Sequence, residues 1–413
     1  MKGRSGPLRS MLVGVLVGAI AGCGSISSTP SPTAPPVLGL DWARAASVER
    51  PDVAFTAPSP IADPSNPDPS GRSGHPLHFP GQAIISDVAS LPSGTLVAIG
   101  YVAPGWHPIA WTSVDGQSWQ LHPMGNADDT FPLAMAVGAD GTIVAVGRSG
   151  SAPLSWTSRD GATWQDHPVA VLGTGSAERL TTVVASADGF LAGGSVGPEL
   201  TDRHARFWRS RDGNTWRPVV DSPSGFANAE VTSIARLHDE FVAVGVVGGV
   251  QHPTGSVAWA SADGTAWDRI DSPAFVGGRA VAVVAGPGSM GVAAVGSDLD
   301  DREALAWISA DGRTWTRAPG EPSRQFNGKI RMTDVVEIGG TLVAVGNYAP
   351  LQRSTAISWT STDGLHWTKG PGSAGQEQAE FYAVAAGGPG LVAVGSVGGP
   401  DDYVPVIWLS PGR

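Results

Sequence analysis

One cysteine, Cys23, is all the thiol this 413-residue chain carries, so no intramolecular disulfide can staple it. Charge is sparse as well, at 15% of residues, and beyond the N-terminus no run rich in Ala, Leu, Glu and Lys reads as a helix. The nine histidines show no H-x-x-x-H spacing. No G-x-x-x-x-G-K-[ST] or C-x-x-C string occurs, which sets aside P-loop nucleotide binding and dithiol redox chemistry. What the chain has in quantity is glycine (56) and proline (34), beside 41% hydrophobic residues. Many short strands joined by turns need that mixture; long helices do not. The length fits two or three ordinary domains or one large closed repeat array.

Residues 1–22 read as a targeting segment. Lys2, Arg4 and Arg9 are basic, and Met11–Ile20 is apolar but too short to span a bilayer comfortably. The string Ile20-Ala21-Gly22-Cys23 resembles the bacterial lipobox, in which the cysteine is lipidated and becomes the new N-terminus. This predicts a lipoprotein held by Cys23 on the outer side of the cytoplasmic membrane or in the periplasm. Removing residues 1–22 leaves 23 Lys+Arg against 37 Asp+Glu, a net charge near −14. Such a surface repels phosphate backbones and excludes nucleic acid as a partner; membrane attachment then rests on the lipid. Residues 23–38 are a Ser/Thr/Pro-rich tether with little to bury.

From residue 39 onward the chain repeats. A nonamer recurs six times: WTSVDGQSW at 111–119, then copies at 156–164, 208–216, 259–267, 307–315 and 359–367, always with the two tryptophans eight residues apart. Upstream of each lies an apolar run ending in glycine, such as TLVAIG (95–100) or TIVAVG (142–147), and a seventh such run, LVAVG (391–395), stands near the C-terminus. A further strand-like segment precedes each. Units of about 50 residues with four strands, a to d, predict a β-propeller. The seventh unit supplies Trp408 but no d strand, whereas Gly39-Leu40-Asp41-Trp42 at the start of the repeats has the missing G-x-x-W. We therefore expect seven four-stranded blades, the last closed by the N-terminal strand. Fourteen of the fifteen tryptophans fall in the c and d columns, and only Trp106 is left over. Asp-Gly supplies the positive-φ turn between c and d. Whether the paired indoles face one side of the blade or opposite sides depends on loop parity, which sequence leaves open.

The string S-x-D-G-x-x-W resembles the Asp-box (BNR) repeat of sialidase-like β-propellers, usually written S-x-D-x-G-x-x-W; one residue between Asp and Gly is missing in all six copies. The resemblance covers residues 39–413 and implies the propeller architecture. For sialidases it would imply an arginine triad on the substrate carboxylate, a Tyr/Glu nucleophile pair and an Asp acid/base. This chain has no F/Y-R-I-P string, and its seven blades differ from that family's usual six.

Loop lengths separate two rims. The c–d connection is uniform, whereas from the strand-b glycine to the strand-c tryptophan the spacing is 11, 9, 14, 14, 11, 13 and 13. Function belongs on the variable rim and at the channel mouth. Aligning the inner strands gives one column there: Ile84, Pro132, Arg179, Glu230, Arg279, Arg331 and Glu380. Arg179, Arg279 and Arg331 are candidate carboxylate or sulfate ligands through their planar forks; the competing reading is a ring of Arg–Glu pairs tying the blades together. Glu230, Glu380 and Tyr382 are the candidate catalytic groups if the chain is a glycoside hydrolase, and Asp87 and Asp334 share a deeper column. Trp106, beside His107, is a candidate platform for a sugar ring or a lid over its own blade. Asp298, Asp300 and Asp301 are closely spaced oxygen ligands for Ca²⁺ or simply a solvated acidic loop; no other cofactor is expected. Residues 50–80 carry eight prolines and no periodicity, reading as a long loop across the variable rim. The expected function is a membrane-anchored, non-catalytic binding or scaffold module for a protein or glycan, with a sialidase-like hydrolase as the alternative.

Overall fold

A computed structural model of the chain describes residues 39–50, 52–55, 77–80, 82–171, 177–197, 203–219, 225–248, 253–323, 328–350, 353–372, 378–398 and 403–411. The expected signal segment, the tether and Cys23 lie outside the described residues. The rest is a seven-bladed β-propeller of four-stranded antiparallel sheets. In blade 1 the strands are a, Ala83–Ser90; b, Leu96–Val102; c, His107–Ser113; and d, Ser118–Pro123. Each a strand touches the a strands of both neighbouring blades, and blade 7 meets blade 1, so the ring closes.

Blade 7 is shared as expected. Ala43–Arg44 pairs antiparallel with its c strand, Val404–Ser410, placing Arg44 opposite Trp408. In every other blade the c tryptophan likewise faces the residue two beyond the d tryptophan: Leu121 opposite Trp111, Pro218 opposite Trp208, Lys369 opposite Trp359. Trp42 therefore occupies the d-tryptophan position. The segment then continues where sequence had not placed it, because Ser47–Val48 adds in parallel to the outer strand of blade 1. The Glu49 carbonyl accepts the Trp111 indole N–H at 2.8 Å, and its carboxylate accepts Leu121 N–H at 2.9 Å. One stretch of chain thus joins both blades flanking the seam.

The indole question is decided by register. In blade 3, Ser210 lies opposite Trp216 and Arg209 opposite Arg217, so five residues form the loop and both indoles emerge on one face. Every blade buries its pair against the preceding blade: Trp111 and Trp119 pack on blade 7, Trp208 and Trp216 on blade 2, Trp408 and Trp42 on blade 6. Each Asp-Gly turn is held by its own side chains. In blade 1, Asp115 Oδ1 accepts the N–H groups of Gln117 and Ser118, and Ser113 Oγ accepts that of Gly116. In five of the six turns the d indole then donates to the carbonyl of the turn glycine, as from Trp119 to Gly116 at 2.8 Å; Trp267 in blade 4 does not.

The glycine ending each b strand has a separate cause. Strand a carries a bulge in every blade. The bulge drives one carbonyl oxygen against the b-strand glycine: a Cβ on Gly100, Gly147, Gly194, Gly245, Gly296, Gly346 or Gly395 would come within 1.8–2.1 Å of it. Only a residue without Cβ fits there. Those carbonyls belong to Ile84, Phe131, Arg179, Glu230, Arg279, Arg331 and Glu380. Six of the seven are the expected column. In blade 2 the position is Phe131, not Pro132: Phe131 pairs with Arg148, one beyond Gly147, as Ile84 pairs with Tyr101, one beyond Gly100. Within residues 50–80, Asp52–Phe55 pairs antiparallel with Leu77–Pro80.

Candidate functional site

The seven a strands line the central axis, and each bulge residue lies two places beyond the residue whose carbonyl faces the b-strand glycine. Their hydroxyls stitch neighbouring blades: Ser86 donates to Pro132 O at 2.7 Å, Thr181 to Val231 O, Thr232 to Ala280 O, and Thr333 to Phe381 O at 2.9 Å. The next residue adds a second stitch in three places. Met135 N–H donates to Asp87 Oδ2 at 2.7 Å, Val283 N–H to Ser233 Oγ at 3.1 Å, and Val384 N–H to Asp334 Oδ2 at 2.8 Å. Sequence reasoning had singled out Asp87 and Asp334 without seeing this role. Their partners are some fifty residues away, so no local pattern announces it. Burial pushes both carboxyls up to about 7, against the two backbone N–H groups that each accepts; for Asp87 the neighbouring charge of Asp334 adds to the rise.

Nearer the variable rim, the arginines are held by carboxylates of the protein itself. Arg179 grips Glu230 in bidentate fashion, Nε to Oε1 at 2.8 Å and Nη2 to Oε2. Arg203, which sequence reasoning passed over, stands 3.5 Å from the same Oε2 and donates to Ser195 Oγ at 2.9 Å. Glu230 and Arg203 are each only 3% exposed. Arg279 and Arg331 meet on Asp301, at 2.8 Å and 3.6 Å, where Ser297 Oγ also donates at 2.7 Å. Asp301 sits in the left-handed region with φ 58°, and its carbonyl accepts Ile330 N–H at 2.6 Å, which ties the loop of blade 5 to blade 6. Asp298 turns inward on its own loop, its Oδ1 accepting the N–H groups of Arg302 and Glu303. Asp298 and Asp301 thus face different partners. Among the described residues no group of three or more His, Cys, Asp or Glu side chains is placed to hold a metal ion.

Three of the chain's four tyrosines gather where blades 7, 1 and 2 meet the variable rim. Tyr101 packs edge-on against Trp106 and Phe131, with ring centroids 5.6 and 4.9 Å apart. Arg148 lies 4.3 Å over the Phe131 ring. Trp106, with φ 58°, is half-buried, and its carbonyl accepts Thr130 N–H at 2.9 Å. Its ring leans back on blades 1 and 2 while keeping an exposed edge. Tyr382 shares its hydroxyl with Ser396 Oγ at 2.7 Å, and burial raises its pKa, with Glu380 and Tyr403 nearby. A phenol activated as a nucleophile needs its pKa lowered; the surroundings of Tyr382 act in the opposite direction.

No family model and no curated protein matches the chain. Solved structures do. A protein from Lactobacillus plantarum is 10% identical with a TM-score of 0.52, covering 79% of this chain and 91% of that one. The polysaccharide lyase Uly1 is 10% identical with a TM-score of 0.51, covering 79% and 89%. A Trypanosoma rangeli sialidase in complex with sialic acid is 11% identical with a TM-score of 0.47, covering 90% of this chain and 59% of that one. At such identities the likeness is one of fold. This chain is a β-propeller protein, and its chemistry has to be argued from its own side chains.

Proposed function

We propose that the chain is an exported, lipid-anchored β-propeller that binds a protein or glycan through its variable rim and catalyses no reaction there. The observation that carries this reading is the state of the mouth arginines. Glu230 occupies the fork of Arg179, and Asp301 draws in both Arg279 and Arg331. A carboxylate clamp would need those forks open to solvent, and a hydrolase would need a carboxyl pair at a working separation. The aromatic group of Tyr101, Trp106 and Phe131 with Arg148 is the part of this rim suited to recognition, offering ring faces and a cation beside uneven loops.

The anchor side fits the same reading. Asp41 N–H donates to Ser410 Oγ at 3.0 Å, and Ser410 is the counterpart in blade 7 of the serines that begin the Asp-Gly turns. The chain therefore enters the ring at the uniform rim, opposite the variable one. Soluble protein starting at residue 24, tested on fluorogenic glycosides that include sialosides, should show no turnover. Turnover abolished by the Arg279→Ala/Arg331→Ala double substitution would overturn the reading and establish a hydrolase at the channel mouth.

A further inference from the structure

Blade 3 differs from its six siblings at one row. Next to each c tryptophan stands Thr112, Thr157, Arg209, Ala260, Ile308, Thr360 or Leu409, and the residue opposite it on strand d is Gln120, Gln165, Arg217, Asp268, Thr316, Thr368 or Ala43. Only blade 3 sets arginine against arginine. Like charges directly opposed across two strands repel, and neither guanidinium has a hydrogen bond or ion pair among the described residues; the same holds for Arg211 in the adjoining turn. All three line one open groove of ≈ 1200 Å³ that reaches the Asp-Gly turn of blade 4 at Thr265. The neighbouring groove of blade 2 has Thr157 and Gln165 at the same row, and there the turn arginine, Arg159, is paired with Asp140 at 3.0 Å. In a chain of net charge −11, three unpartnered arginines in one groove are not explained by the fold.

We infer that this groove binds an isolated carboxylate or sulfate group on an acidic polysaccharide. Two guanidinium forks on one face of a sheet converge on a single oxyanion and cancel their mutual repulsion. The surroundings restrict what can carry that anion. Asp188 and Asp212 also line the groove, and Asp263 belongs to the turn that bounds it, so a continuous run of phosphates or an anionic bilayer meets repulsion on both sides. Sparse charges separated by neutral sugar units do not. A peptide is disfavoured by the edge it would have to pair with: strand d here is only Trp216–Pro218, and Pro218 has no N–H to offer.

The test uses the full chain and four probes: an alternating polymer of glucuronate and neutral sugar, its neutralised methyl ester, poly-L-glutamate, and vesicles rich in phosphatidylglycerol. The variant is Arg209→Thr/Arg217→Gln, which installs the residues that blade 2 already folds with. Binding of the uronate polymer, weakened at least about tenfold in the variant and absent for the ester, is the expected result, because the variant removes charge-assisted hydrogen bonds to the anion. The variant's own melting temperature at low salt should be unchanged or higher, since a repulsion has been removed. Equal binding by variant and parent, or preference for poly-L-glutamate or vesicles, would overturn the inference. Trp106→Ala should leave uronate binding intact, which separates this groove from the variable-rim site.

Discussion

Gly213 shows how much one residue can be asked to do. Its φ of 77° is the left-handed region, and a Cβ there would lie 2.4 Å from Val144 of the preceding blade. Gly213→Ala therefore combines backbone strain of about 1–2 kcal/mol with overpacking of about 1–3 kcal/mol, and chemical denaturation should show a loss of about 2–5 kcal/mol. The turn carboxylates make a separate prediction. The Thr265 hydroxyl and N–H hold Asp263 down at about 2, and the N–H groups of Thr314 and Arg313 do so for Asp311 against some burial. A carboxyl depressed by folding stabilises the native state above its unfolded pKa of 3.8 and loses that contribution as pH falls towards 2. The melting temperature should drop between about pH 4 and pH 2, and Asp263→Asn/Asp311→Asn should blunt the drop.

At the scale of the element, the N-terminal segment carries the seam. Trp42 is 7% exposed, packs on Phe381 with centroids 5.3 Å apart, and donates to Ser358 Oγ of blade 6 at 3.1 Å. Trp42→Ala should cost about 3–5 kcal/mol, the usual range for a buried aromatic. Deleting residues 39–48 goes further, because it strips the outer strand from blade 7 and the parallel addition from blade 1. The expected outcome is a melting temperature lowered by well over 10 °C; an unchanged value would refute the shared blade. Both strands lie in one short segment, yet only the first was legible in the sequence. Trp42 copied a motif seen six times, whereas Ser47–Val48 pairs in parallel and resembles no other part of the repeat.

For the whole molecule, the ring is tied across blades by groups whose charge matters. Asp87 joins blade 1 to blade 2 and Asp334 joins blade 6 to blade 7, each with a carboxyl raised to about 7. A carboxyl raised by folding opposes the native state when ionised, so the cost is present above pH 7 and is relieved as pH falls from 7 towards 3.8. Stability should rise as pH is lowered from 8 to about 5, and Asp87→Asn/Asp334→Asn should flatten that limb while leaving the acid limb in place. Attachment is the other property of the whole chain. Cys23→Ala should move the protein from the membrane fraction to the soluble one, and retention in the membrane would defeat the proposed anchor.

Periodicity alone determined the architecture. A four-strand unit repeated with a constant tryptophan spacing has few ways to bury its indoles, and the glycine at the end of each b run is dictated by a carbonyl that approaches too closely for any Cβ. Seven blades and the shared closure therefore followed from counting, down to Trp42. What only the tertiary structure decided are the long-range pairings of charged side chains. Arg179 with Glu230, Arg279 and Arg331 with Asp301, and Asp87 with Met135 join residues about twenty to fifty positions apart. Their choice depends on how bulged strands register against a neighbouring sheet, and in blade 2 only the pairing of strand a with strand b shows that Phe131, not Pro132, holds the column position. The candidate site was legible as a set of charged positions, and its chemistry was not, because a guanidinium facing solvent and one closed by a carboxylate are written with the same letter.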